Sequence, residues 1–144
     1  MEQRFVIGFD SPDWRRVLFD GWDLLRNSIA ELAPSARWWI WGSLITAVEE
    51  PLFGERASVN ALVIVPMPDI PHTPERLVLL LGSVHSAEEL HRVDAALVLE
   101  LPPSHIGHQI TTDELRFWRT RSTVTIVDIN TREMVPAGFI EVMP

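Results

Sequence analysis

Histidine, serine and carboxylate residues are the first to weigh for chemistry. His105-x-x-His108 lies in a segment with Pro102, Pro103 and Gly107, and His85 and His91 stand six apart. Neither pair has the i, i+4 spacing, with an acid between, that presents two imidazoles to one zinc ion from a helix. Ser, His and Asp are all present, but no Gly-x-Ser-x-Gly elbow exposes a nucleophile. Cysteine is absent, which excludes disulfides, thiolate chemistry and sulfur-based zinc sites. All 12 basic residues are Arg. Without Lys there is no Schiff base and no phosphate-binding P-loop lysine.

The elements that would position any site follow from periodicity and punctuation. Ser11-Pro12-Asp13 reads as a helix start, with a capping hydroxyl, a proline at the first helical position and an acid complementing the dipole. Trp14, Leu18, Trp22, Leu25, Ile29 and Leu32 then recur at steps of four and three. That is one apolar stripe on a helix of about 20 residues, stopped by Ala33-Pro34-Ser35. Arg37 to Trp41 is β-prone, and Gly42-Ser43 breaks it. Leu44 to Glu50 reads as a short helix or a continued strand, and Pro51 to Ser58 as a loop. Val59 to Val65 is a second strand, apolar enough for burial on both faces.

Pro66 to Pro74 is a loop. A helix is expected over Pro74 to Leu81, capped by Thr73 and interrupted by Gly82-Ser83. Ser86-Ala87-Glu88-Glu89 resembles a capping box for a further short helix. Val93 to Leu101 is a third strand, Pro102 to Ile110 a loop, and Thr111-Thr112-Asp113-Glu114 opens a helix ending near Arg119. Thr123 to Ile129 and Val135 to Val142 read as a closing β-hairpin around Asn130-Thr131-Arg132-Glu133. The order implies an α/β (α+β) fold: a mixed central sheet flanked by helices, with a C-terminal β-hairpin, in one domain over residues 1–144.

Composition narrows the classes. A chain of 144 residues with 47% hydrophobic content and six Trp can bury a proper core. No apolar run approaches the roughly 20 residues of a membrane span. Met1-Glu2-Gln3-Arg4 lacks the basic-then-apolar order of a signal peptide, so the cytoplasm is the expected compartment. A net charge of −8 argues against general nucleic-acid binding, which needs a basic face. It suits solubility or a basic protein partner. In Arg37 to Trp41, residues 39 and 41 share one face and 38 and 40 the other. Both faces being apolar, the tryptophans read as core of a central strand rather than as a stacking platform.

One resemblance runs through these segments. Trp41-Gly42-Ser43-Leu44-Ile45-Thr46, then Glu49-Glu50-Pro51, then the strand from Val59, resembles the nucleotidyltransferase superfamily. More narrowly it looks like a short group of bacterial and phage nucleotidyltransferase-like domains. His91-Arg92-Val93-Asp94, Phe117-Trp118-Arg119 and Pro136-Ala137-Gly138-Phe139-Ile140-Glu141 continue that likeness, which covers most of residues 12 to 142.

The resemblance implies a nucleotide site at Gly42, Ser43 and Asn60, with amides and a hydroxyl offered to phosphate. A turn glycine and a capping serine explain the same pair without a ligand. In active members two carboxylates on the second strand and a third on a later strand hold divalent metal, which neutralises the triphosphate and activates the attacking hydroxyl. Here the first two positions are Asn60 and Leu62, and only Asp94 remains as a catalytic or metal candidate. Asp94 also reads as a solvent-facing strand residue or an Arg partner. Glu49, Glu50 and Glu55 read as a charged turn rather than replacement ligands.

The expectation is therefore a noncatalytic domain with no cofactor, working through a protein partner, by resemblance in a toxin–antitoxin, immunity or phage-associated setting. The alternatives are a divergent transferase using Mg²⁺ and a nucleoside triphosphate at Asp94 with Glu49 or Glu50, and a structural or homo-oligomerising module.

Overall fold

The structure, a computed structural model, describes residues 12–42, 59–122, 124–127, 134–137 and 139–142. Helix α1, Pro12–Ala30, buries Leu18, Trp22, Leu25 and Ile29 along the expected stripe. Its last turn closes with Ala33 N–H on the Ile29 carbonyl at 2.8 Å, and Ala36 N–H on the Ala33 carbonyl at 3.1 Å turns the chain into β1. Leu32 lies in that turn, half-buried, beyond the helix.

Strands β1, Arg37–Gly42, and β2, Val59–Pro66, pair antiparallel. A 3₁₀ turn, Met67–Asp69, interrupts the proline-rich connection. Helices α2, Pro74–His85, and α3, Ala87–His91, lead to β3, Val93–Glu100, which lies parallel to β2. Helix α4, His108–Ser122, is followed by β4, Val124–Val127, β5, Met134–Ala137, and β6, Ile140–Val142. The main sheet is mixed, in the order β3-β2-β1-β6, and β4 pairs with β5 separately. The fold is α+β.

Alternation along the strands divides the core. Trp38, Ile40, Val59, Ala61, Val63 and Val93 face α1, α2 and α3. Trp39, Trp41, Leu62, Ile64 and Val98 face the other way, with Leu115 and Trp118 of α4 and Phe139 packed on them. Trp22 meets Trp38 edge-on at 6.1 Å. The tryptophans of β1 are thus core on both faces, as alternation requires.

Several local expectations need correction. Helix α2 runs unbroken through Gly82 and Ser83, because Leu80 and Val84, one turn apart, are both buried and anchor the helix across them. Thr73 stands at the N-cap of α2 without a side-chain capping bond. Ser86 makes none for α3 either, since its hydroxyl donates back to the Gly82 carbonyl at 2.8 Å. Helix α4 starts at His108, three residues early, and runs to Ser122. The expected strand from Val135 to Val142 is split: β5 joins β4 in a hairpin, and β6 crosses to the edge of β1. The segments Leu44 to Glu50 and Pro51 to Ser58, and the turn from Asn130 to Glu133, lie outside the described residues. Among the described residues no helix is long and apolar enough to cross a membrane.

Candidate functional site

Strand register brings the widely separated candidates to one end of the sheet. Gly42 is opposite Val59, Trp41 opposite Asn60, and Asn60 opposite Asp94. Trp41, Asn60 and Asp94 form one row across three neighbouring strands, with adjacent strands about 4.8 Å apart. Asn60 alternates in phase with Leu62, and Asp94 with Ala96, so the row belongs to the α4-covered face. Asn60 is half-buried and Asp94 is exposed. Asp94 makes no ion pair among the described residues. Ser43, Glu49, Glu50 and Glu55 lie outside the described residues.

One step further along the same face the chemistry stops. Leu62 is fully buried and packs with Trp39, Trp41, Ile64 and Val98, opposite Ala96. A carboxylate there would sit in an apolar cluster with no partner. Trp118 of α4 packs at the Trp41 end of the row, its ring centroid 6.0 Å from that of Trp41. Arg121, one turn on, holds its guanidinium 5.8 Å from the centre of the Trp118 ring.

The far end of that face is ionic. Arg37 pairs with Glu100 of β3 and, at 3.0 Å, with Glu141 of β6. Glu141 also accepts from Trp39 Nε1 at 3.3 Å, and Phe139 stacks on Trp39 at 4.4 Å. This network ties the C-terminal strand to the middle of the sheet. Arg37 could be read only as a strand residue in the sequence, because its partners stand 63 and 104 residues away.

Two of the histidines, His105 and His108, do local structural work. His108 Nδ1 lies 2.8 Å from the Leu101 carbonyl, and His105 Nδ1 accepts from Gly107 N–H at 3.0 Å. Among the described residues no group of three or more His, Asp or Glu side chains is gathered closely enough to hold a metal.

Sequence reasoning missed Thr111. It is 3% exposed, and its hydroxyl accepts from Leu101 N–H at 3.1 Å and donates to the Leu99 carbonyl at 3.0 Å. The pair Thr111-Thr112 read as a helix start, which hid a side chain that fastens α4 to the end of β3.

Between α4 and β3 runs an open groove of about 570 Å³, lined by Leu97, Ile110, Asp113, Glu114, Phe117 and Trp118. Ile110 and Phe117 are 65% and 55% exposed.

Residues 1–143 match the model of a family of unknown function, DUF6932. Searches of curated proteins and of solved structures found no match.

Proposed function

We propose a function for a chain that belongs to DUF6932, a family of unknown function: it is a noncatalytic nucleotidyltransferase-like domain that acts by binding a protein partner. The observation that carries this reading is the contrast between two neighbouring positions on β2. Asn60 sits beside Asp94 and one residue from the partner of Gly42. Leu62, where metal-dependent transfer would need a second carboxylate, is fully buried in an apolar cluster. Two cations at a triphosphate require several anionic oxygen ligands. Among the described residues, one exposed carboxylate and one amide supply too few.

The arrangement of strands supports the same frame. A strand ending in Gly42, antiparallel to a strand that starts the site, followed by a parallel strand carrying Asp94, gathers the positions that the resemblance assigns to nucleotide handling. A net charge of −8 favours a basic protein partner over nucleic acid.

Calorimetric titration with ATP, GTP, CTP and UTP, each with and without Mg²⁺, tests the reading. The expected result is no Mg²⁺-dependent binding. Metal-independent binding would mark a residual pocket beside Gly42 and Asn60 and leave the noncatalytic reading intact. Mg²⁺-dependent binding that is lost in Asp94→Ala would overturn it in favour of a divergent transferase.

A further inference from the structure

Among the described residues, strand β3 is the outer strand of the main sheet and pairs with β2 on one side only. Within a strand, the N–H and C=O of one residue point to the same side, and successive residues alternate sides. The Thr111 hydroxyl identifies the outward set, because it engages Leu101 N–H and the Leu99 carbonyl. Ala95 and Leu97 share that phase, so their N–H and C=O groups also point away from β2. Among the described residues no strand pairs with them. Thr111 ends the open edge by imitating one rung of a ladder at Leu99 and Leu101.

The groove between β3 and α4 lies along this edge. Its apolar wall is Ile110, Phe117 and Trp118, and its acidic residues are Asp113 and Glu114; the Arg121 guanidinium stands over the Phe117 and Trp118 rings at 6.0 and 5.8 Å. Asp113 is held by Gln109 Nε2 at 2.9 Å and lies 3.5 Å from Arg116, which leaves Glu114 as the principal carboxylate toward a ligand.

We propose that the β3 edge and α4 form a docking groove for an extended, basic and apolar segment of a partner protein, which adds to the sheet beside β3. The added backbone would bond to Ala95 and Leu97, as in other cases of strand addition. Alternate side chains on one face of the segment would pack on Ile110, Phe117 and Trp118. An Arg or Lys on it would meet Glu114. A helix would leave the outward groups of Ala95 and Leu97 unpaired. A second copy of this chain is disfavoured by charge: β3 carries Asp94 and Glu100 and no base, and a two-fold strand contact centred on Leu97 would set Asp94 of each copy opposite Glu100 of the other. The inference rests on the protein-binding half of the proposed function. It shares no residue with the Gly42, Asn60 and Asp94 frame.

The test uses the full chain and a fluorescein-labelled peptide, Arg-Val-Arg-Ile-Arg-Val-Arg-Ile, followed by fluorescence anisotropy. Saturable binding is expected, weakened by salt. Glu114→Lys should weaken it at least ~10-fold without moving the melting curve, since Glu114 is exposed. N-methylation of alternate peptide nitrogens, in the phase that faces β3, should weaken it at least ~10-fold by removing ladder bonds. The amides of Ala95 and Leu97 should gain protection from hydrogen exchange in the complex. Four results would overturn the proposal: no saturable binding, binding indifferent to N-methylation in either phase, binding indifferent to Glu114→Lys, or a dimer in light scattering that alone protects those amides. The nucleotide titrations read Gly42, Asn60 and Asp94, none of which lines the groove, so failure of the groove and failure of the degenerate site are told apart.

Discussion

A β-carbon on Gly21 would lie 2.2 Å from the backbone carbonyl oxygen of His91. Helix α1 and the last residue of α3 therefore touch backbone to backbone, at a point where only glycine fits. A glycine inside a helix costs about 1 kcal/mol relative to alanine, and here the close approach of α3 explains it. Gly21→Ala should destabilise the fold by about 2 kcal/mol, the usual scale of overpacking against atoms that cannot move aside. Urea denaturation should show a lower midpoint with an unchanged slope. Equal or higher stability would mean that α1 and α3 are not in this contact.

The next residue, Arg92, ends α3 with φ 57°, in the left-handed region. Its carbonyl accepts from Val59 N–H at 3.0 Å, so the cap of α3 also anchors the start of β2. A non-glycine residue pays roughly 1–2 kcal/mol there, partly offset by glycine's greater freedom in the unfolded chain. Arg92→Gly should thus stabilise by about 0.5 kcal/mol, read as a higher urea midpoint. Arg92→Val should do the opposite, since a β-branched side chain tolerates positive φ poorly. A Val variant as stable as the Gly variant would contradict the left-handed cap.

The sequence made the strands legible and left the contacts between distant elements obscure, for physical reasons that differ by element. Arg37 to Trp41 and Val59 to Val65 are apolar on both faces, and only a central strand buries both. The stripe on α1 was equally plain. Gly82-Ser83 misled because local helix cost was outweighed by burial of Leu80 and Val84 on either side. The crossing of β6 to β1 was hidden, since it depends on Glu141 meeting Arg37 across 104 residues. For the candidate site, the spacing of Gly42, Asn60 and Asp94 raised the question, and register answered where they stand. The β3–α4 groove left no signal, because an edge strand and a central strand have similar apolar runs.

Thr111 offers a test of how α4 is fastened. Thr111→Val keeps the shape of the side chain and removes both hydrogen bonds, leaving Leu101 N–H and the Leu99 carbonyl without that partner. The loss should be about 1–3 kcal/mol. Thr111→Ser, which keeps the hydroxyl, should lose less. Amide exchange at Leu101 should accelerate in the Val variant and stay slow in the Ser variant. Slow exchange in both would show that the hydroxyl does not hold this end of β3.

The sharpest separation of core from site is between two positions on β2. Leu62 is fully buried among Trp39, Trp41, Ile64 and Val98, so Leu62→Asp would place a carboxylate where it finds neither water nor a partner. The cost should reach about 4 kcal/mol, comparable to breaking a buried ion pair. Asn60→Asp instead adds a charge at a half-buried position beside exposed Asp94. Like charges on neighbouring strands destabilise by roughly 0.2–1 kcal/mol, and salt should relieve part of that. Urea denaturation of the two variants at low and high salt therefore reads position 62 as core and position 60 as site edge. If Leu62→Asp folded with near-native stability, the second carboxylate position would be open to a ligand, and the ground for a noncatalytic domain would be gone.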